Sequence, residues 1–309
     1  MMKKYMNHLI AFLVFLSSGI ALEAQEENRP FTFITGNAAI TLLPEGQQRA
    51  DTGRLSGVTD EMIAECLPDG GTYNSAVNAF MIEYEDETVL VDAGFGRNLF
   101  AHLEACDKKP EDIQTILMTH LHGDHIGGLL REGRKSFPNA TLYISRAEHD
   151  YWTSDEAMQR VAENRRGGFV QARNVIEAYG ENLRLFTPGS VEKPGDDLLP
   201  GIKAVEAYGH TPGHTAFLLE NDGSRLLIWG DLTHAVSVQT AYPQVGYVAD
   251  TDPVQSAESR RRLFKYAADN GNILIAGMHI EYPGMGEVKG TDRGNYAFSL
   301  LCPCEGIPR

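Results

Sequence analysis

Thr119-His120-Leu121-His122-Gly123-Asp124-His125-Ile126-Gly127-Gly128 is the stretch from which the rest of the chain can be read. Positions 120 to 125 alone place three imidazoles and a carboxylate together. All four are preferred ligands for zinc or a similar borderline divalent ion. The bland alternative is a polar turn with surface histidines, and such a density of donors makes it the weaker reading. Just upstream, residues 112–118 hold Ile113, Ile116, Leu117 and Met118, which predicts a strand aimed at His120. A strand that delivers ligands from its carboxyl end into a loop is a common way to build a site on an α/β scaffold.

Further along, three more polar sets follow apolar segments. They are 210–214 after 202–207, 231–234 after 225–229, and His279 after 273–276. One strand end with a histidine would be unremarkable; four such sets point to one shared site. Around them the periodicity predicts a strand and its continuation over 31–43, a loop over 44–60 and a helical turn at 61–66. A hairpin of 78–84 and 88–92, a short helix at 98–106 and a helix at 126–131 come next, then a strand at 141–144. Residues 155–179 read as helix, interrupted near Gly167-Gly168. Strands 215–220 and 225–229 join through Asn221-Asp222-Gly223, a hairpin signal, and 257–270 is a helix closed by Gly271. Strands and helices mix along the whole chain without repeats, which favours one layered α/β domain over 25–309.

The 309 residues carry a formal net charge of -15. Such an acidic chain argues against non-specific nucleic-acid binding, which needs a basic face to displace counterions, and it disfavours anionic membrane surfaces. Residues 1–24 differ in kind from the rest. Lys3 and Lys4 precede an apolar run at 9–16, followed by Ser17, Ser18, Gly19, Ala21 and Ala24. That order is a secretory signal peptide, too short for a permanent span, with cleavage expected after Ala21 or Ala24. No cysteine follows the run to take a lipid, so the expectation is an exported, periplasmic or secreted protein without a stable membrane anchor. Cys66, Cys106, Cys302 and Cys304 can pair in several ways, and their positions do not select among them. Oligomeric state stays open, with the stretch 44–76 free either to cover the site or to pair subunits in a homodimer.

The motifs 119–125, Gly209-His-Thr-Pro-Gly-His214, Trp229-Gly-Asp231 and Gly277-Met-His279 resemble, in order, those of the metallo-β-lactamase-fold hydrolases. Leu90-Val-Asp92-Ala-Gly94 resembles that fold's early Asp motif. The resemblance implies a four-layer αβ/βα sandwich of two mixed β-sheets with the site on one edge. It implies two divalent ions, zinc first among Zn, Mn, Co and Fe. His120, His122 and His210 would hold one ion, Asp124, His125 and His279 the other, with Asp231 bridging. Bound metal lowers the pKa of water towards neutrality and so makes a nucleophile, while Asp124 and Asp231 are the candidate proton shuttles. Asp92, His214 and His234 fall to supporting positions.

The lactamases proper carry Cys or Ser where this chain has Asp231, which points away from β-lactams. Residues 230–239, 250–253, 260–262 and 279–286, with 137–140, Glu148 and Trp152, resemble the methyl parathion hydrolase-like branch. That branch includes organophosphate hydrolases and exported N-acyl homoserine lactonases. Two features depart from the pattern: His234 stands where the small lactonases have Tyr, and 300–309 does not look like the branch's last strand. The leading expectation is a lactone substrate such as an N-acyl homoserine lactone, with a phosphotriester or aryl ester as the alternative. A β-lactamase and a non-catalytic metal-binding protein rank lower. Phe95, Trp152, Phe169 and Tyr242 are the candidate apolar walls.

Overall fold

The computed structural model describes residues 28–67, 70–84, 86–195 and 197–302, so the predicted leader and Cys304 lie outside it. Two seven-stranded sheets form the centre of the molecule. The first contains β1 (Phe31–Thr35), β2 (Ala38–Asp51), β3 (Thr72–Tyr84), β4 (Glu87–Val91), β5 (Thr115–Leu117), β6 (Thr141–Ser145) and β7 (Leu183–Phe186), side by side in chain order. The second contains β8 (Asp197–Leu199), β9 (Ile202–Glu206), β10 (Thr215–Asn221), β11 (Ser224–Ile228), β12 (Ile273–Ala276), β13 (Met285–Gly290) and β14 (Tyr296–Leu300), again in order. Both sheets are mixed: β1 to β4 form an antiparallel meander, β4 to β7 run parallel, and β11 and β12 form a parallel pair within an otherwise antiparallel sheet.

Strand alternation explains the layering. In β4, Val89 and Val91 face the second sheet while Leu90 faces the helices. In β11, Leu226 and Ile228 meet the first sheet while Leu227 packs on Leu263, Phe264 and Ala267 of the Pro253–Asn270 helix. A period of two thus supplies two apolar faces per sheet, one for the partner sheet and one for an outer helix layer. The outcome is the four-layer αβ/βα sandwich expected from the motifs.

Several boundaries differ from expectation. Residues 44–51 are not loop but the second half of β2, which pairs with β3 through a register shift between Pro44 and Gly46. β1 stops pairing at Leu42, so no neighbour on that side asks for the amide proton that Pro44 lacks. The metal loop ends in a single turn, Gly123–Ile126, then a 3-10 turn and the short strand Leu130–Arg131, rather than a helix over 126–131. Gly128 lies so close to the chain before it that a Cβ would fall 2.4 Å from the Ala93 carbonyl oxygen. The break in 155–179 falls at Val161-Ala162 instead of the glycines, and Gly168 sits inside the Arg166–Tyr179 helix, against Trp152. The helix Arg146–Thr153, capped by Ser145, has no counterpart in the sequence reading. The Pro253–Asn270 helix starts earlier than expected because Asp252 caps it, accepting from the Val254 and Gln255 amides, with proline at the first position.

Residues 50–67 pack on Ala235, Val238 and Val245 and so lie along one side of the site. Cys66 and Cys106 are free thiols. Among the described residues no helix is long and apolar enough to cross a membrane.

Arg260 fixes the segment that follows β11. Its fully buried guanidinium donates to the carbonyl oxygens of Leu232 (2.7 Å), Pro243 (2.8 Å) and Val245 (2.9 Å), and to the Ser256 hydroxyl (3.1 Å). Burial lowers its pKa to about 10, which leaves it charged at neutral pH. Replacing it with Leu strands three buried carbonyls. We expect Arg260→Leu to lose about 3–5 kcal/mol of unfolding free energy in urea titrations. A loss near zero would show that water satisfies those carbonyls.

Candidate metal centre

The chemistry-bearing side chains gather at one edge of the sandwich, beyond the carboxyl ends of β4, β5, β9, β11 and β12. β5 leads to Thr119 and His120, and the turn after it carries His122, Asp124 and His125. β9 leads to His210, β11 to Asp231 and β12 to His279. The two sheets therefore contribute from opposite sides of one cleft.

Each of the proposed histidine ligands but His122 has its Nδ1 occupied by a built acceptor. His125 Nδ1 donates to Asp92 Oδ2 at 2.7 Å, His210 Nδ1 to Asp250 Oδ1 at 2.8 Å, and His279 Nδ1 to the Ala76 carbonyl at 2.6 Å. The Thr119 hydroxyl donates to Asp92 Oδ2 at 2.6 Å, so its oxygen is left to accept from His120 Nδ1 at 3.1 Å. These bonds place a proton on each Nδ1 and turn Nε2 of His120, His125, His210 and His279 towards the centre, where it can ligate an ion once it is deprotonated. His122 instead turns its Nδ1 inward, 2.9 Å from His120 Nε2 and 3.0 Å from His210 Nε2.

A single proton on His122 Nδ1 can serve only one of these two nitrogens at a time, and this crowding tests whether a metal fits. His120, His122, His210 and Asp231 offer ligand atoms that all lie within 4.8 Å of one another, and so do Asp124, His125 and His279. His125 Nε2 and Asp231 Oδ1 are buried 3.1 Å apart, yet neither makes a hydrogen bond. Two buried polar atoms aimed past each other at a common point are what a shared cation requires. Asp231 Oδ2 lies 3.2 Å from His210 Nε2, 3.1 Å from His279 Nε2 and 3.6 Å from His120 Nε2, so this carboxylate touches both groups. The donor set fits two divalent ions.

The electrostatics agree. Burial would raise the Asp231 carboxyl, but the surrounding imidazoles of His125, His279, His120 and His234 outweigh it and hold it well below the usual carboxylate range. Burial would depress His210, yet Asp231 and Asp250 outweigh that and push it up to about 9. Burial and then His210 push His122 down to about 3. The protein thus draws positive charge into this spot while keeping several imidazoles neutral.

The three supporting residues take distinct places. Asp92 is fully buried with a positive φ of 57°, held by the Thr119 amide (2.8 Å) and hydroxyl and by His125. His214 donates from Nδ1 to the Ala207 carbonyl and accepts the Asp231 amide at Nε2 (2.9 Å). Burial, then His210, lowers it to about 4, so it is neutral as both bonds demand. Gly230, φ 59°, makes room for that contact: a Cβ there would sit 2.4 Å from His214 Nε2. His234 approaches closer than a supporting role suggests, with Nε2 3.2 Å from Asp231 Oδ2 and its ring stacked on Tyr247, centroids 3.6 Å apart.

Glu148 and Asp250 complete the site, and residue spacing assigned neither a role. Glu148 is buried and accepts from the Leu121 amide (2.9 Å), Trp152 Nε1 (2.6 Å), the Thr211 hydroxyl (2.6 Å) and the Gly213 amide (3.0 Å). It ties the 119–125 loop to the 209–214 loop across the two sheets. Asp250 receives His210 Nδ1 and the Tyr247 amide. The branch resemblance singled out Glu148 without a role, and the role shows only once the Arg146–Thr153 helix is known, which buries it one turn from Trp152.

Over the centre opens a cleft of about 730 Å³. Phe95, Trp152 and Phe169 line it as expected, joined by Tyr151 and Tyr247. Tyr242 does not; its ring packs beside the 50–67 segment and its hydroxyl donates to Glu65, because the turn after the Val236–Ala241 helix faces away from the cleft.

The profile of the metallo-beta-lactamase superfamily matches residues 72–279, the span that runs from β3 to the last of these ligands. The chain belongs to the metallo-beta-lactamase superfamily. Within the superfamily it is 28% identical over 180 residues to a probable metallo-hydrolase of Mycobacterium bovis, covering 50% of this chain and 56% of that one. It is 26% identical over 247 residues to an N-acyl homoserine lactonase of Bacillus cereus, covering 70% of this chain and 86% of that one. The chain spans between 56% and 61% of the length of the first curated relatives it matches. A solved structure described as the hydrolase AbOPH in the beta lactamase superfamily superposes with a TM-score of 0.80 at 26% identity, over 89% of this chain and 98% of that one.

Glu148→Gln tests the clamp. The amide can accept at one oxygen only and turns its NH2 on a second pair of donors. Expected are a loss of about 2–4 kcal/mol in urea unfolding and a roughly 10–100-fold weaker zinc affinity in chelator competition. Unchanged zinc affinity would show that the two loops hold their register without it.

Proposed function

We propose that the protein is a dinuclear metal-dependent hydrolase that opens lactones, N-acyl homoserine lactones foremost. The observation that carries the reading is the convergence of His120, His122, Asp124, His125, His210, Asp231 and His279 on two neighbouring ligand sets, linked by Asp231, beneath an open cleft. When bound, divalent ions at such a site activate water for nucleophilic attack and polarise the ester carbonyl. Zinc suits the histidine-rich donors best.

The chain's own part is positional and protonic. Asp92, Thr119, Asp250 and the Ala76 carbonyl hold protons at Nδ1 and so keep Nε2 available. Asp231 joins the halves and is shielded at 2% exposure, whereas the Asp124 side chain is 26% exposed and reaches the cleft. Asp124 is therefore the carboxylate placed to pass a proton to the departing alkoxide as the acyl C–O bond breaks. The lactone reading draws on the likeness to the Bacillus cereus lactonase and on Asp231 in the bridging position.

One observation favours a second reading. Trp152 and Phe169 pack at 4.7 Å between centroids, Tyr151 and Phe169 at 5.2 Å, and with Phe95 they give the cleft an aromatic wall suited to an aryl leaving group. A phosphotriester or aryl ester is the alternative substrate. Zinc-loaded protein assayed against long-chain homoserine lactones and paraoxon-type esters orders the two. Rapid phosphotriester turnover beside undetectable lactone opening would reverse our order. Asp124→Ala should lower hydrolysis by about three orders of magnitude or more while its urea midpoint stays near that of the wild type. Surviving activity would refute the two-ion mechanism.

Export is proposed from the leader alone. Amino-terminal sequencing of the periplasmic or secreted protein should begin at Leu22 or Gln25; a full-length amino terminus in the cytoplasm would overturn it.

A further inference from the structure

The cleft wall has the opposite charge balance to the rest of the chain. Over the whole sequence 42 acids face 27 lysines and arginines. Beyond the proposed ligands, the charged residues lining the cleft are Arg54, Arg97, Arg165 and a single acid, Glu45. Glu45 is already committed: its two carboxylate oxygens accept the Arg97 and Asn98 amides at 2.7 and 2.8 Å.

The arginines come from three separate segments, and none has a carboxylate within 4.0 Å among the described residues. Arg54 Nη1 donates to the Tyr247 hydroxyl at 3.1 Å, and Arg165 Nη2 donates to the Val248 carbonyl at 2.8 Å. Both guanidinium groups thus anchor on the Tyr247-Val248 dipeptide. Asp51, the acid near Arg54, accepts the Gly53 amide. Arg97 lies over the Phe95 ring at 4.5 Å. Tyr247 stacks on His234, which contacts Asp231, so the Arg54 end of the wall stands two side chains away from the bridging carboxylate. Each arginine spends one contact on the protein and leaves donors for a ligand. A guanidinium fork is matched to a carboxylate, and a cationic mouth in a low-dielectric cleft concentrates anions.

We propose that the substrate is an ester or lactone that carries a second, unreacting carboxylate, held at the Arg54–Arg165 rim while the ester bond lies over the metal centre. This rests on the hydrolase reading above and not on its substrate order: N-acyl homoserine lactones and paraoxon-type esters carry no free carboxylate, so an anionic substrate would take precedence over both. Arg54 and Arg165 are positioning residues in it. They neither touch the reacting atoms nor hold the ions.

The test compares the 4-nitrophenyl ester of glutaric acid, with its free carboxylate, and the same ester with that carboxylate methylated. With zinc-loaded wild type, kcat/KM should favour the free carboxylate by about tenfold or more, and the preference should shrink as salt rises from roughly 0.05 to 0.5 M. The Arg54→Gln, Arg165→Gln double variant should bring the ratio of the two kcat/KM values close to one, mainly through KM. Equal or better turnover of the methylated ester by wild type would overturn the proposal, and so would a preference that survives in the double variant. If the variant does not fold, the wild-type ratio and its salt dependence still decide. A binding arm separates this inference from the hydrolase reading. Calorimetry with the non-hydrolysable 4-nitroanilide of glutaric acid and its methyl ester reads the rim without turnover. Tighter binding of the free carboxylate beside no hydrolysis of either ester would sink the hydrolase reading and leave the rim standing.

Discussion

Everything at this edge of the sandwich depends on one electrostatic constraint: imidazole nitrogens and a buried carboxylate crowded about 3 Å apart at the foot of the cleft. Left alone, such an arrangement would relax by rotating rings or taking up protons. Ring rotation is checked at His120, His125, His210 and His279, whose far nitrogens are each tied to an acceptor that is itself fixed. Asp92 shows what this costs. A buried carboxylate in a left-handed backbone conformation is unfavourable by about 1–3 kcal/mol of strain before its desolvation is counted, and it persists because Thr119 and His125 both need it.

The same constraint explains why two sheets are needed. His120, His122, Asp124 and His125 ride on the first sheet and its turn, whereas His210, Asp231 and His279 ride on the second. The apolar layer between the sheets, with Phe80, Val91 and Leu117 against Phe217, Ile228 and Ala276, sets the spacing between these two groups. Cations bound at this edge would act as a cross-link between the layers, adding to stability in proportion to their affinity for the folded state. The outer helices contribute indirectly, through Glu148 on one side and Arg260 on the other.

How much of this was legible in the sequence follows from how local each signal is. His120 to His125 stand within a single turn, and the strand before them is marked by its own apolar run, so both the site and its scaffold could be read. The other candidate ligands could be picked out because each follows a strand and matches a familiar motif. Glu148, Asp250 and Arg260 were not given roles, because each acts on backbone groups far away in the chain, and nothing near them in sequence announces those partners. Pro44 and Gly46 disguised a strand as a loop, since the free edge that tolerates them is a property of the sheet rather than of the segment. Tyr242 failed for the complementary reason: an aromatic near a site in sequence need not face it.

Trp152 connects two properties that are usually discussed apart. Its ring forms part of the wall that a substrate would meet, while its indole N–H is one of the donors to the Glu148 carboxylate that clamps the ligand loops. A change that reshapes the wall at this position therefore also removes a bond from the clamp. Substrate range and metal retention share a residue, so the cleft cannot drift freely at Trp152: a smaller ring would widen the pocket and loosen the centre beneath it in the same step. Phe169 is buried against Trp152 and shares its constraint, whereas Phe95, exposed at the mouth, carries no such second duty and is the position where variation in this wall is least encumbered.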